Sequence, residues 1–181
     1  AMAFGVITHR TPLSPKVTPE TLLSVIGDLS DVSSVCGLVN GQFVDIYYEN
    51  RPFDETILEY IHTFKTGALF QFSASAGAKL AGCSDETVAA FKTFGEKLGL
   101  AFQIVDDLLD VQSTSELLGK TAGKDLAQNK ATYPTLFGLE SSRNKAEQLI
   151  QEALDLLDNT AEIQDAAALK AIATFIHKRI H

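Results

Sequence analysis

The chain is written almost wholly in the helical period. Apolar residues recur three and four positions apart, strict apolar–polar alternation is scarce, and Ala, Leu, Glu and Lys are abundant, so the pattern predicts an all-α fold. Thr18-Pro19-Glu20 reads as a helix start, with Thr18 as N-cap, proline at the first helical position and an acid in the first turn; that helix is expected to run to about Ser34. A shorter helix follows from about Leu38 to Glu49. "NRPFD" then breaks the chain, and Asp54 caps a long helix that reaches Ala81 and is closed by Gly82. Ser84 caps the next helix, expected to end near Gln112. The polar stretch after it, "STSELLGKTAGKDLAQNKATYP", holds Gly119, Gly123 and Pro134 and is read as a loop. Two amphipathic helices close the chain, at about Ser141 to Asp158 and about Asp165 to Arg179. The opening, "AMAFGVITHRTPLSP", begins on apolar residues with no N-cap and reads as the tail of a helix that starts upstream.

One helix breaks its own pattern. In "GLAFQIVDDLLDVQ", Phe102, Ile104, Val105, Leu108 and Leu109 cover most of the circumference, the mark of an interior helix. Gln103, Asp106, Asp107 and Asp110 form a polar stripe on what remains. An unpaired buried carboxylate costs on the order of several kcal/mol, so something positive must meet these side chains. Three carboxylates on one stripe would also repel one another unless a divalent cation neutralises them. Oxygen-only ligands shared with phosphate suit Mg²⁺, so the stripe predicts Mg²⁺ and, through it, a phosphate or diphosphate. A solvated acidic face is the competing reading.

Two further segments change the balance. The loop after the stripe carries Lys120, Lys124 and Lys130 between glycines, which suits an anionic ligand such as diphosphate, although a plain surface loop would look similar. Lys65-Thr66 sits inside the mainly apolar "YIHTFKTGALFQFSASAGA", where a snorkelling lysine is the alternative. The small residues Gly67, Ala68, Ser73, Ala74, Ser75 and Gly77 permit close helix approach or leave space for a ligand. Gln42 and Asp45, in "LVNGQFVDIYYE", are a weaker polar pair.

Composition sets the remaining bounds. With 181 residues, 45% of them hydrophobic and 21% charged, the chain can bury a core as one domain. A net charge of −8 without any basic run disfavours nucleic acid and anionic lipid as partners. The apolar runs are interrupted before the ~20 residues needed to span a bilayer, and no signal-peptide pattern is present. The expectation is a chain of cytosolic type, or one stripped of a targeting segment. Cys36 and Cys83 match no CxxC spacing and read as free thiols. His9, His62, His177 and His181 show no metal spacing, and no GxSxG, P-loop or Rossmann glycine pattern occurs.

Taken together, "FQIVDDLLDV" and "LGKTAGKDLAQNKATYPTLFGLE", preceded by "GLVNGQFVDI" and "YIHTFKTGALF", strongly resemble the trans-polyprenyl diphosphate synthases, and among them geranylgeranyl diphosphate synthases of cyanobacterial and plastid type. The likeness runs over nearly the whole chain. It implies an all-α isoprenoid-synthase (terpenoid-synthase) helical bundle, with residues 1–181 as a single polyprenyl synthetase domain forming the C-terminal part of the family fold. It implies Mg²⁺ held by Asp106, Asp107 and Asp110 as the second of two aspartate-rich motifs on facing helices. Lys65, Thr66, Gln103, Lys120 and Lys130 match positions that hold the diphosphate or the carbocation left when it departs, with Gln42 a further substrate-binding position. The substrates implied are an allylic diphosphate and isopentenyl diphosphate, the assembly a homodimer or a heteromer with another synthase chain, and the setting the cytoplasm or the plastid stroma. The family's first aspartate-rich motif and its isopentenyl-diphosphate-binding basic residues belong upstream of "AMAFGVI" and are not among these residues, so the isolated chain is expected to be inactive. The alternatives are a non-catalytic, regulatory partner of a complete synthase and a terpene cyclase, against which the lysine loop argues.

Overall fold

The caps read from the sequence do start and stop helices in the computed structural model, which describes residues 2–10, 17–126 and 132–180, with side chains over 2–8, 17–111 and 132–180. Helix α1 (Met2–Gly5) runs into a π-helical turn at Val6–Arg10. Helix α2 (Pro19–Ser33) starts where Thr18 Oγ1 accepts the Thr21 N–H at 3.2 Å. Helix α3 (Leu38–Tyr48) follows a short turn. Asp54 caps α4 (Glu55–Ile61) by accepting the Ile57 N–H at 3.0 Å.

The long helix expected next is continuous to Ala81 but not uniform. A π-helical stretch, His62–Gly67, interrupts it before α5 (Ala68–Ala81). Gly82 then takes φ +76°, and the Gly82 and Cys83 N–H groups return to Lys79 and Ala78 carbonyls, a left-handed stop that glycine adopts without a Cβ penalty.

Helix α6 (Asp85–Leu126) corrects the expected boundary near Gln112, because the backbone stays helical through "STSELLGKTAGKDL". That stretch holds three Leu and two Lys, and Gly119 and Gly123 weaken a helix by only about 1 kcal/mol each against alanine, which is not enough to stop it. A short α7 (Tyr133–Phe137), absent from the sequence reading, precedes α8 (Leu139–Asn159) and α9 (Ala167–Lys178). No strand occurs among the described residues.

Helix α6 is the axis of the bundle, with α5 on one side and α8 on the other. Ala101, Ile104, Val105 and Leu108 of α6 are buried together with Leu58 and Ile61 of α4 and with Leu149, Ile150, Ala153 and Leu157 of α8. Lys97 on α6 pairs with Glu152 on α8 at 2.5 Å. By length and composition the stretch Pro19–Tyr48 is apolar enough to cross a bilayer, an exception to the interrupted runs expected. It is, however, folded as two helices of 15 and 11 residues, each short of the ~20 a span needs. Leu23, Val39, Phe43, Ile46 and Tyr47 are exposed along these two helices, and Val35 in the turn between them.

Candidate functional site

The π-helical stretch brings its polar side chains to two neighbours at once. On one side, Gly41 of α3 lies so close that a Cβ there would fall 2.2 Å from the Lys65 backbone nitrogen, so only glycine lets α3 seat against this turn. One turn further along α3, Asp45 Oδ2 lies 2.6 Å from Lys65 Nζ, with the carboxylate 12% and the lysine 30% exposed. The ammonium is therefore held, with its outer part open to solvent. Gln42, beside Gly41, is half-buried.

On the other side the stretch faces α6. Thr66 Oγ1 donates to Gln103 Oε1 at 2.9 Å, and Gln103 Nε2 reaches Asp107 Oδ1 at 3.5 Å. One turn back, His62 Nε2 lies 3.4 Å from Asp107 Oδ2. The same oxygen accepts the Tyr133 backbone N–H at 2.9 Å. His62 and Asp107 are each 2% exposed, and their neighbour Tyr133 stacks on the imidazole with ring centroids 6.2 Å apart. Burial, and then Glu55 and Glu59 nearby, push the Tyr133 phenol above its ordinary pKa.

The polar stripe is thus divided rather than uniform. Asp107 turns into the interior, where a backbone N–H, an amide and an imidazole surround it, instead of facing an open cavity beside its neighbours. Asp106 remains partly exposed, and its Oδ1 lies 2.8 Å from the Arg179 guanidinium, which also sits 5.4 Å from the centre of the Phe102 ring. Asp110, one turn on, is exposed. Among the described residues, no three His, Cys, Asp or Glu side chains converge as a metal-binding group. Asp106 and Asp110 nonetheless fit a hard cation that shares its shell with phosphate. They are two oxygen donors one turn apart on the open side of the helix, and a cation there would share Asp106 with Arg179.

The structure accordingly gathers Lys65, Thr66, Gln103 and Asp107 around the π-helical stretch, which packs against α3 on one side and α6 on the other, whereas Asp106 meets Arg179. Lys120 and Lys124 lie on the distal part of α6, on its helical backbone, and their side chains fall outside the described set, as Lys130 does entirely. His62, Tyr133 and Arg179 are the participants that sequence reasoning passed over. For His62 a signal was present: it stands one helical turn before Thr66, as Gln103 stands one turn before Asp107. Nothing local marks Arg179, which comes from the far end of the chain.

Comparison with known proteins places this junction in context. The family model described as polyprenyl synthetase matches residues 18–176. The geranylgeranyl diphosphate synthase of Cyanophora paradoxa is 40% identical over 184 residues, covering 99% of this chain and 58% of its own. The heterodimeric geranylgeranyl pyrophosphate synthase large subunit 1, chloroplastic, of Arabidopsis thaliana is 43% identical over 169 residues, covering 92% of this chain and 45% of its own. Among solved structures, an FPP/GFPP synthase from Zymomonas mobilis superposes with a TM-score of 0.79 at 32% identity, over 97% of this chain and 56% of that one. The chain spans about half the length of the curated relatives it matches.

Proposed function

Because the chain belongs to the polyprenyl synthetase family, we propose that it carries the C-terminal part of a short-chain prenyl diphosphate synthase, of the kind that makes geranylgeranyl diphosphate. The observation that carries the reading is the 2.9 Å bond from Thr66 to Gln103, which sets Thr66 directly against the acidic helix, with Lys65 next to it in the chain. In this reading the substrates are an allylic diphosphate and isopentenyl diphosphate, and the residues form a single polyprenyl synthetase domain.

Each residue's part follows from its chemistry. Lys65, anchored by Asp45 yet partly open, offers a positive charge to a departing diphosphate. Thr66 gives its hydroxyl proton to Gln103 Oε1 and so orients that amide, whose second Nε2 proton is assigned to the diphosphate; Thr66 itself reaches the diphosphate by turning its proton from Gln103 to the ligand. Lys120 and Lys130 are assigned to the diphosphate, and Gln42 is kept as a substrate-binding position. Asp106 and Asp110 would hold Mg²⁺, which supplies the charge that draws electrons from the leaving diphosphate. Asp107 acts behind them, from the interior. The apolar wall around Phe102 keeps water from an allylic cation.

The proposed assembly is a homodimer or a heteromer with another synthase chain, in the cytoplasm or the plastid stroma. The apolar residues exposed on α2 and α3 supply a surface such an assembly would cover. A non-catalytic role beside a complete synthase is the second reading, prompted by the likeness to a subunit of a heterodimeric synthase.

Thermal melting tests the site itself. Magnesium with inorganic pyrophosphate is expected to raise Tm of the 181-residue chain by mass action, and the double substitution Asp106→Asn with Asp110→Asn to abolish the rise. An equal response in the double variant would show that the anion binds elsewhere.

A further inference from the structure

Resting on that reading of the site, we propose that His62 is a positioning residue: through Asp107 its buried imidazole fixes both the Lys65-Thr66 turn and the re-entry of the chain at Tyr133 against α6. His62 opens the π-helical stretch, three residues before Lys65 and four before Thr66. The stretch and α6 run antiparallel, so contacts between them repeat every turn, His62 to Asp107 and then Thr66 to Gln103. Gln103 Nε2, 3.5 Å from Asp107 Oδ1, closes the ladder within α6.

Asp107 is the shared point. Its Oδ2 meets His62 Nε2 at 3.4 Å and the Tyr133 N–H at 2.9 Å, and Tyr133 begins α7 directly after the segment that contains Lys130. One buried carboxylate thus ties together a turn bearing a lysine and a threonine, the acidic helix, and the start of α7. A carboxylate 2% exposed needs its donors, because a buried charge left short of them is costly and its surroundings shift to supply others. His62 Nδ1 is buried without a hydrogen-bond partner, and the polar contact of the ring is the one between Nε2 and Asp107 Oδ2.

Outer residues that orient the groups touching a ligand typically change affinity by about 10- to 100-fold when replaced. The test uses the 181-residue chain with His62→Leu, which removes the donor, and His62→Gln, whose amide nitrogen reaches as far as Nε2. His62→Phe, which keeps the stacking on Tyr133, takes the place of the leucine variant if that fails to fold. Two quantities are read: the backbone amide resonances without ligand, and the Kd for inorganic pyrophosphate with magnesium. The donor-less variant is expected to move the Lys65, Thr66, Gln103 and Tyr133 resonances, to leave those of α8 and α9 in place, and to raise Kd by about tenfold or more. His62→Gln is expected to restore the resonances and bring Kd to within about threefold of wild type. Unmoved resonances in a folded donor-less variant, or a glutamine variant as impaired as the leucine one, would overturn the proposal. If the wild-type chain binds no pyrophosphate, the diphosphate-site reading fails, and the resonances alone decide whether His62 positions the turn.

Discussion

Two adjacent carboxylates on α6 meet opposite surroundings. Asp106 pairs at the surface with Arg179, while Asp107 is enclosed by His62, Gln103 and the Tyr133 N–H. The demand for a positive or donating group beside each was legible in the sequence, because an apolar helix cannot hold bare carboxylates. The identity of the groups was not, since Arg179 and Tyr133 come from far along the chain and are brought in by tertiary packing. A third carboxylate works at the other end of the same helix. Glu162, between α8 and α9, accepts the Ser84 N–H at 3.1 Å and the Ser84 hydroxyl at 2.7 Å, where α6 begins. Hydrogen bonds from Thr87 and then Ser84 hold its carboxyl below the ordinary value of 4.5. A depressed carboxyl stabilises the fold fully above that ordinary value and loses its contribution as pH falls through the depressed one. Glu162→Gln is therefore expected to lower Tm at pH 7, with the gap to wild type closing in acid below the ordinary carboxylate value. A gap of the same size at pH 7 and pH 3 would show that charge at Glu162 is not what matters.

At the scale of elements, the starts and stops were readable wherever a side chain or a glycine sets them: Thr18, Asp54, Gly82 and Ser84 all act locally. The π-helical stretch was not, because it adds a residue to a turn without disturbing the apolar pattern that marks the helix. Nor was the continuation of α6 past Gln112, where glycines and polar residues argue for a loop and intrinsic propensity argues for a helix at nearly equal strength. The seating of α3 on the π-helical stretch depends on Gly41, whose missing Cβ leaves room for the Lys65 backbone. Gly41→Ala should force the two apart and destabilise the chain by about 1–3 kcal/mol, the usual range for overpacking. It should also separate Asp45 from Lys65. Denaturant unfolding gives the first quantity, and wild-type stability in the alanine variant would mean that α3 can shift without loss.

For the whole molecule, the all-α architecture was legible from periodicity, whereas the contact of Thr66 with Gln103 on the acidic helix was not, the resemblance having given both only as diphosphate positions. The order of helices around α6, and the exposure of Leu23, Val39 and Phe43 on α2 and α3, were not, because which apolar faces find partners is settled only when the bundle is assembled. The central claim is that these residues supply one side of a site whose chemistry needs cations clamped from two facing helices. Positioning on that scale governs rate by several powers of ten, on the order of effective-molarity effects. The most direct measurement is product formation from radiolabelled isopentenyl diphosphate, farnesyl diphosphate and magnesium, by the purified chain alone and by the chain co-expressed with the upstream helices of a related synthase. The account predicts no prenyl product from the chain alone and a geranylgeranyl product from the complex. Robust synthesis by the chain alone, or a stable complex that forms no product, would contradict it.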